Sequence, residues 1–150
     1  MTEERYAYLL VEEKKWWTRR SDRSQVSSDP QAFVRRGKVG PKDAKVLLFY
    51  VKLPVGEVRG CADFLERIIG TADELWNMHG PETVFQSSDE YSSFIGSGGK
   101  VTFIRLRNLQ RSERPVSWKD LSATLGIKKM PNGGMYISKA NADSIIKGAV

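Results

Sequence analysis

One stretch near the middle of the chain, residues 45–66, restricts the fold more than any other. Residues 46–51 are six apolar residues in succession, which is typical of a short strand buried on both faces. Residues 53–56 then supply turn chemistry, and residues 57–64 alternate between apolar and polar side chains. The stretch therefore predicts a β-hairpin with one polar face at the centre of the molecule.

Length and composition predict one compact domain over residues 1–150. The chain is 40% hydrophobic and 28% charged, and its apolar runs are far shorter than the roughly 20 residues of a membrane helix, so no membrane association is expected. A single cysteine, Cys61, excludes an internal disulfide and favours the cytoplasm. One cysteine and one histidine also argue against a metal site, and no glycine pattern predicts a cofactor.

The charges are strongly segregated along the chain. Residues 14–45 carry ten Lys and Arg against three acids, residues 100–129 carry eight against two, and residues 46–99 carry three against eight. If the fold brings the two basic segments together, they form a surface suited to a phosphate backbone. If they stay apart, they are solvated faces that keep the protein in solution.

The segments before the hairpin predict one helix, one extended stretch and one loop. A helix capped by Thr2 is expected to run to about Glu13, with a strand over residues 6–11 as the alternative. Residues 14–20, KKWWTRR, alternate as a strand would, so one of the two adjacent tryptophans is expected at the surface beside cations, as base stacking requires. Residues 21–45 predict a long loop with one helical turn near residues 31–34 and a basic tip at residues 35–38.

After the hairpin, short helices and strands intermix without repeats. Capping boxes begin at Thr71 and Ser87, a strand covers residues 100–109, a helix begins near Ser117, and Ser138 caps a last helix after a strand at residues 135–137. This order favours an α+β fold, a mixed and mostly antiparallel barrel of about five or six strands with peripheral helices.

Five segments carry a resemblance to a known superfamily: LLFYV, VGEVRGCADF, DELW, KVTFIRLRNL and MPNGGMYISKANADSII. Together they resemble the PUA-like superfamily, nearest to its ASCH and EVE groups and to small archaeal proteins among them. The resemblance implies a PUA-like β-barrel that holds RNA, or a modified base, in a cleft beside the central strands. RNA or a modified nucleoside is thus the expected partner, for a monomer or weak dimer.

The same resemblance suggests an enzyme as the alternative. ASCH-type amidohydrolases that deacylate acetylated cytidine carry a Lys-x-x-Thr-x-Arg stretch, which residues 15–20 match. It implies Thr18 as nucleophile, Lys15 as its activating group and a carboxylate, Asp63 or Glu57, as the third member.

The preferred hypothesis is a nucleic-acid-binding module, with RNA favoured over DNA, and a domain that binds another protein is a third possibility. Its expected contacts combine two indoles with seven cations: Trp16, Trp17, Arg19, Arg20, Arg35, Arg36, Lys38, Arg105 and Arg107.

Overall fold

A computed structural model of the chain describes residues 3–149. Its strands are β1 (Ala7–Glu12), β2 (Gln31–Arg36), β3 (Val46–Val51), β4 (Glu57–Thr71), β5 (Lys100–Ser117) and β6 (Met135–Ile137). Its helices are α1 (Lys14–Val26), α2 (Ala72–His79), α3 (Ser88–Ile95), α4 (Trp118–Leu125) and α5 (Lys139–Ala149), with a 3₁₀ turn at Gly80–Glu82. Within these residues, no helix has the length and hydropathy needed to cross a bilayer.

All six strands belong to one mixed sheet in the order β2-β5-β4-β3-β1-β6. The central hairpin is confirmed, because β3 pairs with β4 antiparallel from Val46 opposite Asp63 onwards. The β1–β3 pair is parallel, and the other pairs are antiparallel. The register of β4 and β5 shifts three times, and such bulges bend the two long strands. The α+β class and the mostly antiparallel arrangement are therefore confirmed.

The sheet curls until its first strand approaches β1, and a gap remains between them. Strand β6 is only three residues long and covers β1 from Ala7 to Leu9. Gly134 precedes it, and a Cβ there would collide with the Leu9 carbonyl. Beyond Leu9 the outer edge of β1 faces β2 across a cleft, where the Arg35 guanidinium donates to the Val11 carbonyl at 2.9 Å.

The core divides into three packed clusters. The barrel interior contains Trp17, Phe33 and Phe49, and its sheet is covered on one side by α4 and α5. Helices α2 and α3 cover the other face of β2 and β5. These two helices and the turn between them, residues 72–95, are called the helical segment below.

Two predictions for the N-terminal region are wrong. The expected helix to Glu13 is strand β1, the alternative, because its apolar residues are buried between β3 and β6. Thr2, its expected cap, lies outside the described residues. Residues 14–20 are helical, because Trp17, Arg20 and Ser21 are buried at the spacing of one helical face.

The predicted loop over residues 21–45 is also wrong in part. Helix α1 continues to Val26, and the expected helical turn at residues 31–34 forms the first four residues of strand β2, which are buried and pair with β5. The later helices α2 and α3 begin at their predicted caps. The Thr71 and Ser87 hydroxyls accept hydrogen bonds from the Glu74 and Glu90 backbone N–H groups. Ser138 likewise accepts from the Asn141 N–H at the start of α5.

Candidate functional site

The gap between β1 and β2 forms a cleft with an inner and an outer part. The inner cavity, about 70 Å³, is lined by aromatic and apolar side chains together with charged ones, which include Glu12 and Glu13. The outer groove, about 390 Å³, is bordered on one side by the loop before β6. Val11 and Lys52 line both parts, so the two form one continuous depression, here called the β1–β2 cleft. Its further lining includes Trp16, Phe33, Arg35, Phe85 and Phe94 inside and Tyr50, Leu53, Met130, Pro131 and Asn132 outside.

Arg35 is the polar group at the centre of this cleft. Its guanidinium carbon lies 5.3 Å from the centroid of the Phe33 ring, and one amino group donates to the Val11 carbonyl. Its Nε is buried and has no partner among the described residues. Burial lowers the Arg35 pKa, and the neighbouring Tyr8 and Glu12 oppose that shift. The cleft therefore holds a partly desolvated cation whose amino group also reaches the Asn132 carbonyl at 3.5 Å.

A buried ion pair supports the floor of the cleft from behind. Glu12, at the end of β1, accepts hydrogen bonds from Arg20 of α1 at 2.8 and 3.2 Å, and both side chains are about 2% exposed. Arg20 also donates to the Ala32 carbonyl of β2. Arg20 thus joins β1 to β2 across the gap, and all of its charge is used inside the protein.

The two adjacent tryptophans have different positions. Trp17 is 8% exposed and packs on Phe49, and Gly60 leaves room for its ring because a Cβ there would collide with it. Trp16 is half-buried at the cleft, edge-on to Phe85 and Phe94. The Lys15 ammonium and the Arg19 guanidinium lie 4.6 and 5.2 Å from its ring centroid. Trp16 is therefore the indole placed beside cations and Trp17 is part of the core.

Two of the predicted nucleic-acid contacts, Arg19 and Arg105, form ion pairs with the helical segment. Arg19 donates to Glu90 at 2.6 Å, and this hydrogen bond lowers the pKa of Glu90. Arg105 donates to Glu82 at 2.8 and 2.9 Å and to Glu66 at 2.6 Å, and the bonds to Glu82 are the main reason why its pKa is raised. Both guanidinium groups already have carboxylate partners.

The two basic segments of the sequence meet directly, because β2 pairs with β5 along its whole length. Paired residues share a face of the sheet, so Arg35, opposite Thr102, and Arg105, opposite Ala32, point to opposite faces. Arg36 and Lys38 are exposed at the end of β2, and Arg107 is exposed beyond the other end of the pairing. Only part of the predicted basic surface thus borders the cleft.

Sequence reasoning missed several residues of this site. Lys52 follows the buried strand β3 directly, and Lys128 and Lys129 lie in the loop that supplies Met130 and Asn132 to the outer groove. Within residues 3–149 none of these three lysines forms an ion pair. For Lys128 and Lys129 the signal was the basic composition of residues 100–129, which does not reveal their position, and Lys52 lies in the acidic segment 46–99 that gave no such signal.

The residues of the hydrolase alternative are spread over different surfaces. Lys15 lies 3.9 Å from a Glu90 oxygen, and Thr18, on the same helix, lines a groove with Arg59 and Arg111. Asp63 lines another groove, where it accepts from the Asn108 amide at 2.8 Å. The other candidate carboxylate, Glu57, pairs with Arg59 at 2.7 Å. Among the described residues, Thr18 and Asp63 thus line two different grooves, and Lys15 lies beside Glu90.

Comparison with known proteins identifies the architecture. No family model matches the sequence, and no curated protein matches it significantly. The crystal structure of ASCH from Zymomonas mobilis matches with a TM-score of 0.77 and 20% identity, over 95% of each chain. The chain has the ASCH fold. This confirms the expected PUA-like architecture.

Two variants of the Zymomonas mobilis protein match equally well. A serine-to-alanine variant gives a TM-score of 0.76 at 19% identity over 96% of each chain. A tyrosine-to-phenylalanine variant gives 0.74 at 20% identity over 95% of this chain and 98% of that one. These structures give no support to the expected kinship with small archaeal proteins. At such identities the similarity establishes a common fold and does not assign roles to single residues.

Proposed function

We propose that the protein is a nucleic-acid-binding module of the ASCH fold that holds one base of a single-stranded RNA in the β1–β2 cleft. The observation that carries this proposal is the half-buried Trp16 indole in the same cleft as the Arg35 guanidinium. An aromatic face stacks on any base, and a guanidinium donates to the acceptors on a base edge. The cleft therefore combines the two contacts by which proteins hold an unstacked base.

The size of the cleft supports recognition of a modified base. The inner cavity of about 70 Å³ has room for about two water molecules, at about 30 Å³ each. A base ring does not fit there, but a small substituent on the ring does. The outer groove of about 390 Å³ is large enough for the ring itself. A base that points its substituent inward would fill both parts.

The edges of the cleft favour a phosphate backbone. Lys52 lies between the two parts, and Lys128 and Lys129 follow on the loop above the outer groove. On the other side of the gap, Arg36 and Lys38 continue from β2. These exposed cations have no acidic partner among the described residues, so contact with phosphate does not require breaking an ion pair.

The substitution Trp16→Leu tests the stacking contact. It removes the aromatic face but keeps an apolar side chain against Phe85 and Phe94. Loss of one base–aromatic stack is expected to weaken the binding of a single-stranded RNA about tenfold, measured by fluorescence anisotropy at low salt. Trp76→Leu is the matched control, because Trp76 is also half-buried, stacks on Tyr91 and lines neither part of the cleft. Equal losses in the two variants would contradict the proposed site.

A second variant tests modification reading. Val84 is buried and lines the inner cavity, so Val84→Leu reduces the space for a substituent. The wild-type protein is expected to bind an RNA with a methylated or acylated base at least fivefold more tightly than the unmodified RNA. In Val84→Leu that preference should fall below twofold, while affinity for unmodified RNA is retained. If the wild-type protein binds modified and unmodified RNA equally well, recognition of a modified base is refuted and only general RNA binding is left.

A further inference from the structure

A second groove, separate from the β1–β2 cleft, lies where the C-terminal end of α1 meets the middle of β4 and β5. Its volume is about 640 Å³, within the range of small-molecule sites, and it shares no lining residue with the cleft. The wall is opened by an irregularity in the β4–β5 pairing: Cys61 is opposite Gln110, but Asp63 is opposite Arg107. One extra residue on β5 results, and Asn108 there has a φ of 57°.

Two side chains at this bulge are joined by a hydrogen bond. The Asn108 amide donates to one Asp63 oxygen, which leaves the second oxygen of that carboxylate free to accept. Burial, with the nearby Asp63 charge, raises the pKa of the Cys61 thiol, so the cysteine is a neutral part of the wall. The bulge therefore presents a carboxylate acceptor and no thiolate.

Gln31 supplies a second acceptor in the same groove. Its side chain is 3% exposed and donates from Nε2 to the Arg20 carbonyl at 3.1 Å. Only the NH₂ end of the amide can donate to a carbonyl, so this bond fixes the orientation of the side chain. The opposite atom, Oε1, is buried and has no partner among the described residues. A buried acceptor without a donor among these residues needs an explanation, and a donor from a bound molecule would supply one.

The electrostatics of the groove favour a positively charged donor. Ser24, Gln25 and Val26 form the last turn of the 13-residue helix α1 and line the groove, and the carbonyls at a helix C-terminus carry partial negative charge. Arg23, the basic residue of that turn, donates instead to the Thr83 and Pro81 carbonyls of the helical segment.

The charged side chains of the lining add to this field. Asp29 and Asp63 line the groove, against one cation, Arg107, so the lining has a net negative charge in a chain of net charge +6. Two carboxylates are few for a divalent metal ion, which takes six or more oxygen ligands. Val46, Leu106 and Ile146 add an apolar surface, which suits an organic cation rather than a hydrated ion.

We infer that the second groove binds a small aliphatic amine, whose ammonium group donates to Asp63, Asp29 and the Gln31 Oε1 while its carbon chain covers the apolar wall. This site is independent of the proposed RNA function. An amine in the groove would also provide the buried Gln31 oxygen with the donor that it lacks within residues 3–149.

Isothermal titration calorimetry with spermidine at 0.15 M NaCl tests the inference. The wild-type protein should show one saturable site, and the double variant Asp29→Asn/Asp63→Asn should bind at least tenfold more weakly. The matched control is Asp73→Asn/Asp89→Asn, which removes two exposed acidic charges at the starts of α2 and α3. It should change affinity less than twofold. Absence of saturation, or equal losses in both double variants, would overturn the proposal.

Nuclear magnetic resonance gives a readout that needs no core substitution. In ¹⁵N-labelled wild-type protein, the Gln31 side-chain NH₂ signals should shift saturably with spermidine, because its Oε1 receives a new hydrogen bond. Magnesium chloride at the same charge concentration should leave them in place. Gln31 signals that do not move, or that move equally with magnesium, would refute the amine site. Trp16→Leu should bind spermidine as the wild type does, so failure of the RNA proposal would not affect this result.

Discussion

The Arg20 guanidinium is buried in the protein interior, where it forms an ion pair with Glu12. Arg35, fifteen positions later, lines the cleft, and its Nε has no partner among the described residues. Arg105, in turn, is held by Glu82 and Glu66. The sequence treats these arginines alike, because each lies in a basic segment. Their partners decide their roles, and those partners come from elements far away along the chain. Counting cations therefore overestimated the surface available to a phosphate backbone.

The buried pair provides a prediction for stability. Glu12→Gln keeps the size of the side chain but leaves the Arg20 cation buried without a counter-charge. The free energy of unfolding, from urea titration, should fall by about 3 kcal/mol. Glu57→Gln is the matched control, because its partner Arg59 is 42% exposed, and it should cost less than about 1 kcal/mol. Equal effects would mean that the buried pair contributes no more than a surface pair.

At the scale of secondary-structure elements, the helical segment shows what local sequence signals can and cannot predict. Its helices begin at the predicted caps, since Thr71 and Ser87 bond to backbone groups three residues later. Its docking could not be predicted, because it depends on Phe85 and Phe94 meeting Trp16 and on Arg19 meeting Glu90. Strand β2 was missed for the same reason: its short apolar run, residues 32–34, became recognisable only when paired with β5.

The attachment of this segment should depend on pH. The Arg19 hydrogen bond lowers the pKa of Glu90 in the folded protein, so the ionised carboxylate stabilises the fold above the ordinary glutamate pKa of about 4.3. That contribution is lost as the pH falls through the lowered folded-state value.

As the pH is lowered below about 4.3, the unfolding free energy of Glu90→Gln should therefore fall less than that of the wild-type protein. Unfolding by urea at a series of pH values measures this difference. Asp89→Asn, at the exposed neighbouring position, serves as the control. A pH profile of Glu90→Gln that coincides with the wild type would show that the ion pair does not stabilise the folded state.

At the scale of the whole molecule, the fold brings together charges that are distant in the sequence. Residues 31–36 and 100–117 become neighbouring strands, and the loop with Lys128 and Lys129 borders the same cleft as Arg35. The central hairpin, the fold class and the last strand and helix were predictable from periodicity and caps. The cleft was not, because it results from the mismatch in length between β1 and β6, which only the assembled sheet reveals.

The arrangement predicts how RNA affinity depends on salt. For single-stranded nucleic acid, each neutralised phosphate adds about −0.7 to the slope of log K against log salt concentration. The double variant Lys128→Ala/Lys129→Ala should make that slope shallower by about 1.4 between 50 and 200 mM NaCl. Arg59→Ala/Arg111→Ala is the matched control, since both arginines already pair with acids, and should change it little. An unchanged slope in the lysine variant would remove this loop from the RNA interface.

The brevity of β6 has a consequence for any attempt to redesign the protein. Each residue added to that strand would pair with the next position of β1 and occupy the space that Arg35 now spans with a side chain. The length of one terminal strand thus sets the aperture of the barrel. Relatives in which this strand begins two or three residues earlier, before the position of Met135, would be expected to close the wall, and they would have to receive a ligand elsewhere.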